Sequence, residues 1–288
     1  MRIGGLQTVL IVLLAPSALL AQNNDSVVKP QILSSVPDVR QIVVSSIEVT
    51  QRHWQARLHS TYVERDETRH LDTVGHVNSE EVDVSRTILV NGAPFEQLVE
   101  RNGRPPSAEE DRKQKERLEK LKRETLEQRN ERLHKQDEET LSLVREVPKA
   151  FNFQLVGEEI VNGRPAYVVQ ATPRPDYHAQ GKYGGMLSKV AGRLWIDRQD
   201  LGWIKVDGQV IQPFSIGLFL ARVLRGSHIT MEQARVEDIW MPTQVEVRAA
   251  AKILFLKSLV IDRVLTYSEY RLAEVGVSTA IDPVSAIR

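Results

Sequence analysis

Apolar and polar residues alternate most regularly between Gly192 and Val210. Leu194 and Ile196 share one parity, and Arg193, Trp195 and Asp197 share the other. Beyond a turn, Ile204, Val206 and Val210 alternate with Trp203, Lys205 and Asp207. Period two on both sides of a turn predicts a β-hairpin with one dry face. For both apolar sets to share that face, the loop must hold an odd number of residues, most simply Arg198, Gln199 and Asp200. This register sets Trp195 opposite Trp203 and Leu194 opposite Ile204.

The same reading extends along the chain. Asp38 opens a helix in which Val39, Ile42, Val43, Ser46, Ile47 and Trp54 fall near one face, and this helix is expected to lie on the sheet. TYVERDETRHL from Thr61, VDVSRTILV from Val82 and PFEQLVE from Pro94 read as a three-strand meander, the first strand polar-faced. Asn91-Gly92, Asn102-Gly103 and Asn162-Gly163 mark tight turns, because both residue types tolerate positive φ. FNFQLVGEEIV and AYVVQATP give a further hairpin, and Ser227–Val236, Thr243–Leu256 and Leu259–Tyr270 give later strands. In Thr243–Phe255, Val245, Val247, Ala249, Ala251, Ile253 and Phe255 share one face, while the other turns apolar at Leu254 and Leu256. One end of that strand is therefore buried on both faces, with PFSIGLFLAR (Pro213–Arg222) placed to cover it. The small Ala249–Ala251 leave room for a ligand or for a close-packed helix.

A charged segment interrupts the sheet at residues 105–147. Ser107 and Glu110 match a capping box, and Leu118, Leu121, Leu126 and Leu133 are too sparse for a core helix. A continuous helix here reaches on the order of 55 Å at ~1.5 Å per residue. It reads either as a solvated helix laced by i,i+4 ion pairs or as an arm, Ser107–Thr140, that docks another envelope protein.

Composition narrows the setting. The chain has 288 residues, 41% of them hydrophobic, enough for a sizeable core. Its formal net charge of zero and pI of about 7.1 give no field that attracts nucleic acid. Met1–Ala21 has a short basic start, an apolar run and a small-residue end, the pattern of a secretory signal peptide. The apolar run falls short of the ~20 residues a spanning helix needs, and no later stretch is apolar enough to span a bilayer. The sequence contains no cysteine, which excludes disulfides, thiolate metal sites and the acylated cysteine of a lipoprotein. The mature product is expected to be periplasmic and not lipid-anchored. Residues 22–36 are a linker, residues 37–275 one domain, and residues 276–288 a tail.

Hydrolase elbow, Walker loop, dinucleotide fingerprint and zincin motif are all absent from the sequence. Ser215 in PFSIG lacks the first glycine of the elbow, and the seven histidines show no metal-site spacing; His70 and His76 only flank a turn. The reading is a non-enzyme without a cofactor or metal. Asp197, Lys205 and Asp207 form a cross-strand ion network or bind a polar head group. Trp195 and Trp203 either stabilise the hairpin or line a concave face.

YVERDE (Tyr62–Glu67), VGEEIVNGRPAYVVQATPRP (Val156–Pro175), GRLWID (Gly192–Asp197) and IWMP (Ile239–Pro242), in this order after an amphipathic helix, resemble the Lol-type lipoprotein carriers. The nearer resemblance is to the outer-membrane lipoprotein-sorting-like proteins of that superfamily. It covers about Val39–Arg271 apart from the charged segment. It implies a mainly β (α+β) fold: a curved antiparallel half-barrel of about nine to eleven strands, lidded by helices and sheltering acyl chains. A lipid or acylated lipoprotein is then the expected partner. Trp195, Trp203, Leu254 and Leu256 form its wall, and Phe214, Ile216, Leu218 and Phe219 its lid or rim. The alternative is an envelope interaction protein that docks a partner through the charged helix, its sheet filled by side chains.

Overall fold

The computed structural model describes residues 38–72, 74–178, 185–216, 221–253 and 257–272. The signal peptide, linker and tail read from the sequence lie outside these residues. Helix α1 (Val39–Leu58) is followed by β1 (Ser60–Leu71), β2 (Val77–Val90) and β3 (Ala93–Arg101). Two helices come next, α2 (Ala108–Arg123) and α3 (Leu126–Ala150). The sheet then resumes with β4 (Phe151–Val161), β5 (Arg164–Pro173), β6 (Val190–Asp197) and β7 (Trp203–Val210). The last strands are β8 (Phe214–Ile216), β9 (Ala221–Val223), β10 (His228–Val236), β11 (Ile239–Ile253) and β12 (Lys257–Leu272).

All pairings are antiparallel, in the order β3-β2-β1-β12-β11-β10-β7-β6-β5-β4, and the end strands do not pair with each other. The sheet is thus an open half-barrel rather than a closed barrel. Among the described residues it has twelve strands, more than the nine to eleven expected, because PFSIGLFLAR contributes the short hairpin β8–β9. That hairpin does not lie over β11. It joins the sheet in plane, with Ala251 opposite Val223 and Ile253 opposite Ala221.

The tight turns follow from their residues. Asn91 and Gly92 have φ of 52° and 78°, as Asn162 and Gly163 have 51° and 78°, the doubly left-handed geometry that a two-residue hairpin turn demands. Asp38 starts α1 by accepting the Arg40 amide at 2.9 Å on its side chain. Ile42, Val43 and Ile47 of α1 pack into the main core with strand residues that include Leu194, Ile196, Val206, Val245 and Leu265. We call the face carrying α1 the inner face.

The charged segment is two helices, not one. Thr125 and Gln128 form a second capping box that starts α3, and the extended backbone of Glu124 and Thr125 separates it from α2. Pro148 sits inside α3, whose end is carried into the core by Leu143, Val144 and Val147. Near its start, α3 is tied to the β2–β3 turn, where the Arg129 guanidinium donates to the Asn91 carbonyl at 2.8 Å. Its end runs directly into β4. At ~1.5 Å per residue its 25 residues span ~37 Å, so α3 straps one edge of the open sheet to the other.

Candidate functional site

The β6–β7 hairpin departs from the expected register. Leu194 lies opposite Val206, Trp195 opposite Lys205 and Ile196 opposite Trp203, with a bulge between Trp195 and Ile196. Neither Trp195 with Trp203 nor Leu194 with Ile204 is a facing pair. The extra residue in β7 reverses parity, so Trp203 joins Leu194 and Ile196 in the main core while Ile204 joins Trp195 in a second cluster. Because Trp195 sits between Leu194 and Ile196 on a strand, it points to the opposite face from Trp203.

Each indole is a packing element with its own polar anchor. Trp203 is 6% exposed, and its Nε1 donates to the buried Ser46 hydroxyl of α1 at 2.9 Å. Trp195 is 8% exposed, donates to Glu159 at 2.8 Å, and has the Lys205 ammonium 5.9 Å from its ring centre. The loop is longer than three residues: the Asp197 amide donates to the Gly202 carbonyl at 2.8 Å. Asp197 is fully buried, takes Arg164 at 2.6 Å and accepts the Gln199 and Asp200 amides. Burial works against its charge, but Arg164 and these amides outweigh it and hold the carboxyl below its ordinary range. Of the other two carboxylate-network candidates, Lys205 pairs with Glu232 at 2.8 Å and Asp207 lies 3.2 Å from His228. Gly202 lies flat on the Trp240 ring, which occupies the space a Cβ would take.

At this end of the half-barrel, α1 is pinned by Arg57. Its guanidinium donates to the Trp240 carbonyl at 2.8 Å and to Gln233, neither of them a carboxylate. Burial brings its pKa down to about 10, against an opposing pull from Tyr270.

The inner face divides in two. On the β10–β11–β12 side it is largely apolar, and Val245, which faces Leu265, and Val247, which faces Arg263, are buried under α1. The same columns continue beyond them as Ala249 opposite Ile261 and Ala251 opposite Leu259, then Ile253, all half-buried. Phe214 is buried in the main core at their flank, and Ile216 is half-buried against it. Leu218, Phe219, Leu254 and Leu256 lie outside the described residues.

Across β1, β2 and β3 the inner face is polar. Leu265 faces Asp66 and Tyr267 faces Glu64; Glu64 in turn faces Ser85 and Asp66 faces Asp83. Asp66 and Arg263 form a two-pronged pair at 2.6 and 2.9 Å, exposed by only 13% and 14%. Asp83, 3% exposed, holds Arg101 the same way at 2.8 Å. Tyr62 packs edge-on to Tyr267 with ring centres 5.8 Å apart, and 5.4 Å from Tyr270. Glu64 is the unbalanced member. Burial first, then Glu96 and Asp66, raise its pKa to about 7, against Arg263 and a bond from Tyr267. Desolvation likewise raises the Tyr62 and Tyr267 hydroxyls above their ordinary value. The sequence reading missed this floor, since Tyr62, Glu64 and Asp66 alternate like a solvent face.

The helices α2 and α3 border an open groove of about 910 Å³ lined mainly by charged residues such as Asp111, Lys115, Glu119 and Glu124. Its walls are tied by pairs such as Lys115–Asp111 at 2.8 Å and Arg132–Glu124 at 2.8 Å. Among the described residues, no helix is long and apolar enough to cross a membrane, and no cluster of three or more His, Asp or Glu stands ready for a metal. His76 is bonded to Asp72 at 3.1 Å.

No protein-family model matches the chain, and no curated protein does. Several solved structures are similar to it. A LolA superfamily protein from Nitrosomonas europaea is 14% identical, with a TM-score of 0.34, over 82% of this chain and 94% of that one. An outer-membrane lipoprotein-sorting protein domain from Vibrio parahaemolyticus is 10% identical, with a TM-score of 0.31, over 82% and 94%. MucB in the MucA/MucB complex of Pseudomonas aeruginosa belongs to a structure that is 13% identical, with a TM-score of 0.21, over 82% of this chain and 99% of that one.

Proposed function

We propose that this protein is an exported, periplasmic carrier that holds the apolar chain of a lipid or acylated lipoprotein on the inner face of its half-barrel, in outer-membrane lipoprotein sorting. One observation supports this reading most. The apolar column of β11 runs past the cover of α1, from buried Val245 and Val247 to half-buried Ala249 and Ala251, and beyond Arg263 it is joined on β12 by half-buried Ile261 and Leu259. A methylene chain laid along them leaves water at ~0.8 kcal/mol per CH₂, without covalent chemistry or many polar contacts. Phe214 and Ile216 flank this strip. Trp203 belongs to the floor beneath α1, and Trp195, on the other face, takes no part.

The docking-arm reading of Ser107–Thr140 is weakened by what α2 already does. The Gln114 side-chain amide donates to the Leu98 carbonyl at 3.3 Å and accepts the Leu98 amide, so α2 is engaged along β3.

Native mass spectrometry of the protein purified from the cell envelope tests the carrier reading. Bound lipid or acyl-peptide mass is expected on the native chain and its loss on Ile261→Asp, which places a charge on the half-buried strip. A chain that never carries such mass, or an Ile261→Asp variant that carries it undiminished, refutes the proposal.

A further inference from the structure

The two edges of the open sheet are treated differently. The β3 edge is guarded: Gln114 clamps the Leu98 backbone, and the Arg117 guanidinium lies 5.5 Å from the Phe95 ring centre. At the other edge, β4 pairs only with β5 among the described strands. Unpaired edges are templates for pairing with another chain, and proteins block them when pairing is unwanted.

The first half of β4 is a regular, two-faced strand. Phe151, Phe153 and Leu155 alternate with exposed Asn152 and Gln154, and they face Pro173, Ala171 and Val169 of β5. Phe153 and Leu155 are only half-buried although they pack against the main core. A bulge between Leu155 and Gly157 ends this regular stretch. The charges are polarised along the strand, with Lys149 just before it and Glu158 beyond the bulge.

We propose that β4 pairs antiparallel with β4 of a second copy of this chain, about a two-fold axis at Phe153. In that register Phe153 faces Phe153 and half-buried Leu155 faces buried Phe151, so the apolar residues of both copies meet on one continuous inner face. Asn152 faces Gln154, and Glu158 of one copy comes beside Lys149 of the other. Glu158 is now held in an exposed pair with Arg198, which exchanges partners readily, and the exposed Lys149 ammonium reaches Glu146, which also accepts the Tyr177 hydroxyl.

Sedimentation equilibrium of the full chain tests this. The wild type is expected to dimerise, and the exposed pair Asn152→Lys with Gln154→Lys to give a monomer whose circular dichroism is unchanged. Glu158→Lys and Lys149→Glu are each expected to weaken the dimer by about fivefold, and the two together to restore it. A wild type that stays monomeric at every soluble concentration overturns the proposal. So does a dimer that survives the two lysines.

Discussion

Replacing Trp203 with alanine is expected to lower the unfolding free energy by about 3–5 kcal/mol in urea denaturation. The ring is buried among Leu194, Ile196 and Val206 on the sheet side and α1 on the other, so its removal leaves a cavity that both layers border. It also removes the indole donor of a side-chain bond from β7 to α1, Trp203 to Ser46. Ser46 itself donates to the Val43 carbonyl at 2.7 Å, which fixes its hydroxyl as an acceptor for the indole. Trp203→Phe separates the two effects, because it keeps most of the packing and strands that acceptor, for about 1 kcal/mol. Equal losses for phenylalanine and alanine contradict this placement of the ring.

The second large effect depends on pH. Glu64 has its pKa raised to about 7 in the folded chain, against the ordinary 4.5 that it regains on unfolding. Between these values the native state holds a proton that the unfolded state has released, so stability falls as pH rises. The loss begins near the unfolded pKa and is complete once pH passes the folded one. At 1.36 kcal/mol per pKa unit it amounts to about 3 kcal/mol. Glu64→Gln removes the titrating group and keeps the shape. The variant is therefore expected to exceed wild type by about 3 kcal/mol at pH 8.5 and to match it near pH 4. Urea denaturation of the two proteins across this range checks it. A constant difference, or one that grows toward acid pH, means that Glu64 is ionised without cost.

These two residues also mark where the sequence was legible and where it was not. α1 could be read because its buried residues, Val43, Ser46 and Ile47, repeat at helical spacing and owe nothing to distant partners. The β1–β2–β3 meander and the Asn-Gly turns were equally local. The β6–β7 hairpin was found, but its register was not. Ile204, Val206 and Val210 form an unbroken alternation, and only the bulge shows that Ile204 stands on the other face from Val206. Trp203 then passed for an outer residue, since a large aromatic fits either face of a pleated strand. The break between α2 and α3 was written in Thr125 and Gln128 and was overlooked because the charge pattern runs through it unchanged. The polar floor had no local signal. Glu64 and Asp66 become inner residues because Tyr267 and Leu265 face them from a strand about two hundred residues away. Of the predicted ligand residues, Phe214 and Ile216 flank the half-buried strip, and the tryptophans are separated by the sheet itself.

An apolar chain held as proposed lies on the inner face along β11 and β12. A spin-labelled fatty acid added to methyl-labelled protein tests it most directly, through the broadening of assigned methyl resonances. Ala249, Ile261 and Ile216 are expected to broaden first, while Val168 and Ile204, in the cluster around Trp195, stay sharp. Broadening centred on Val168 and Ile204, or none at any of these methyls, would contradict it.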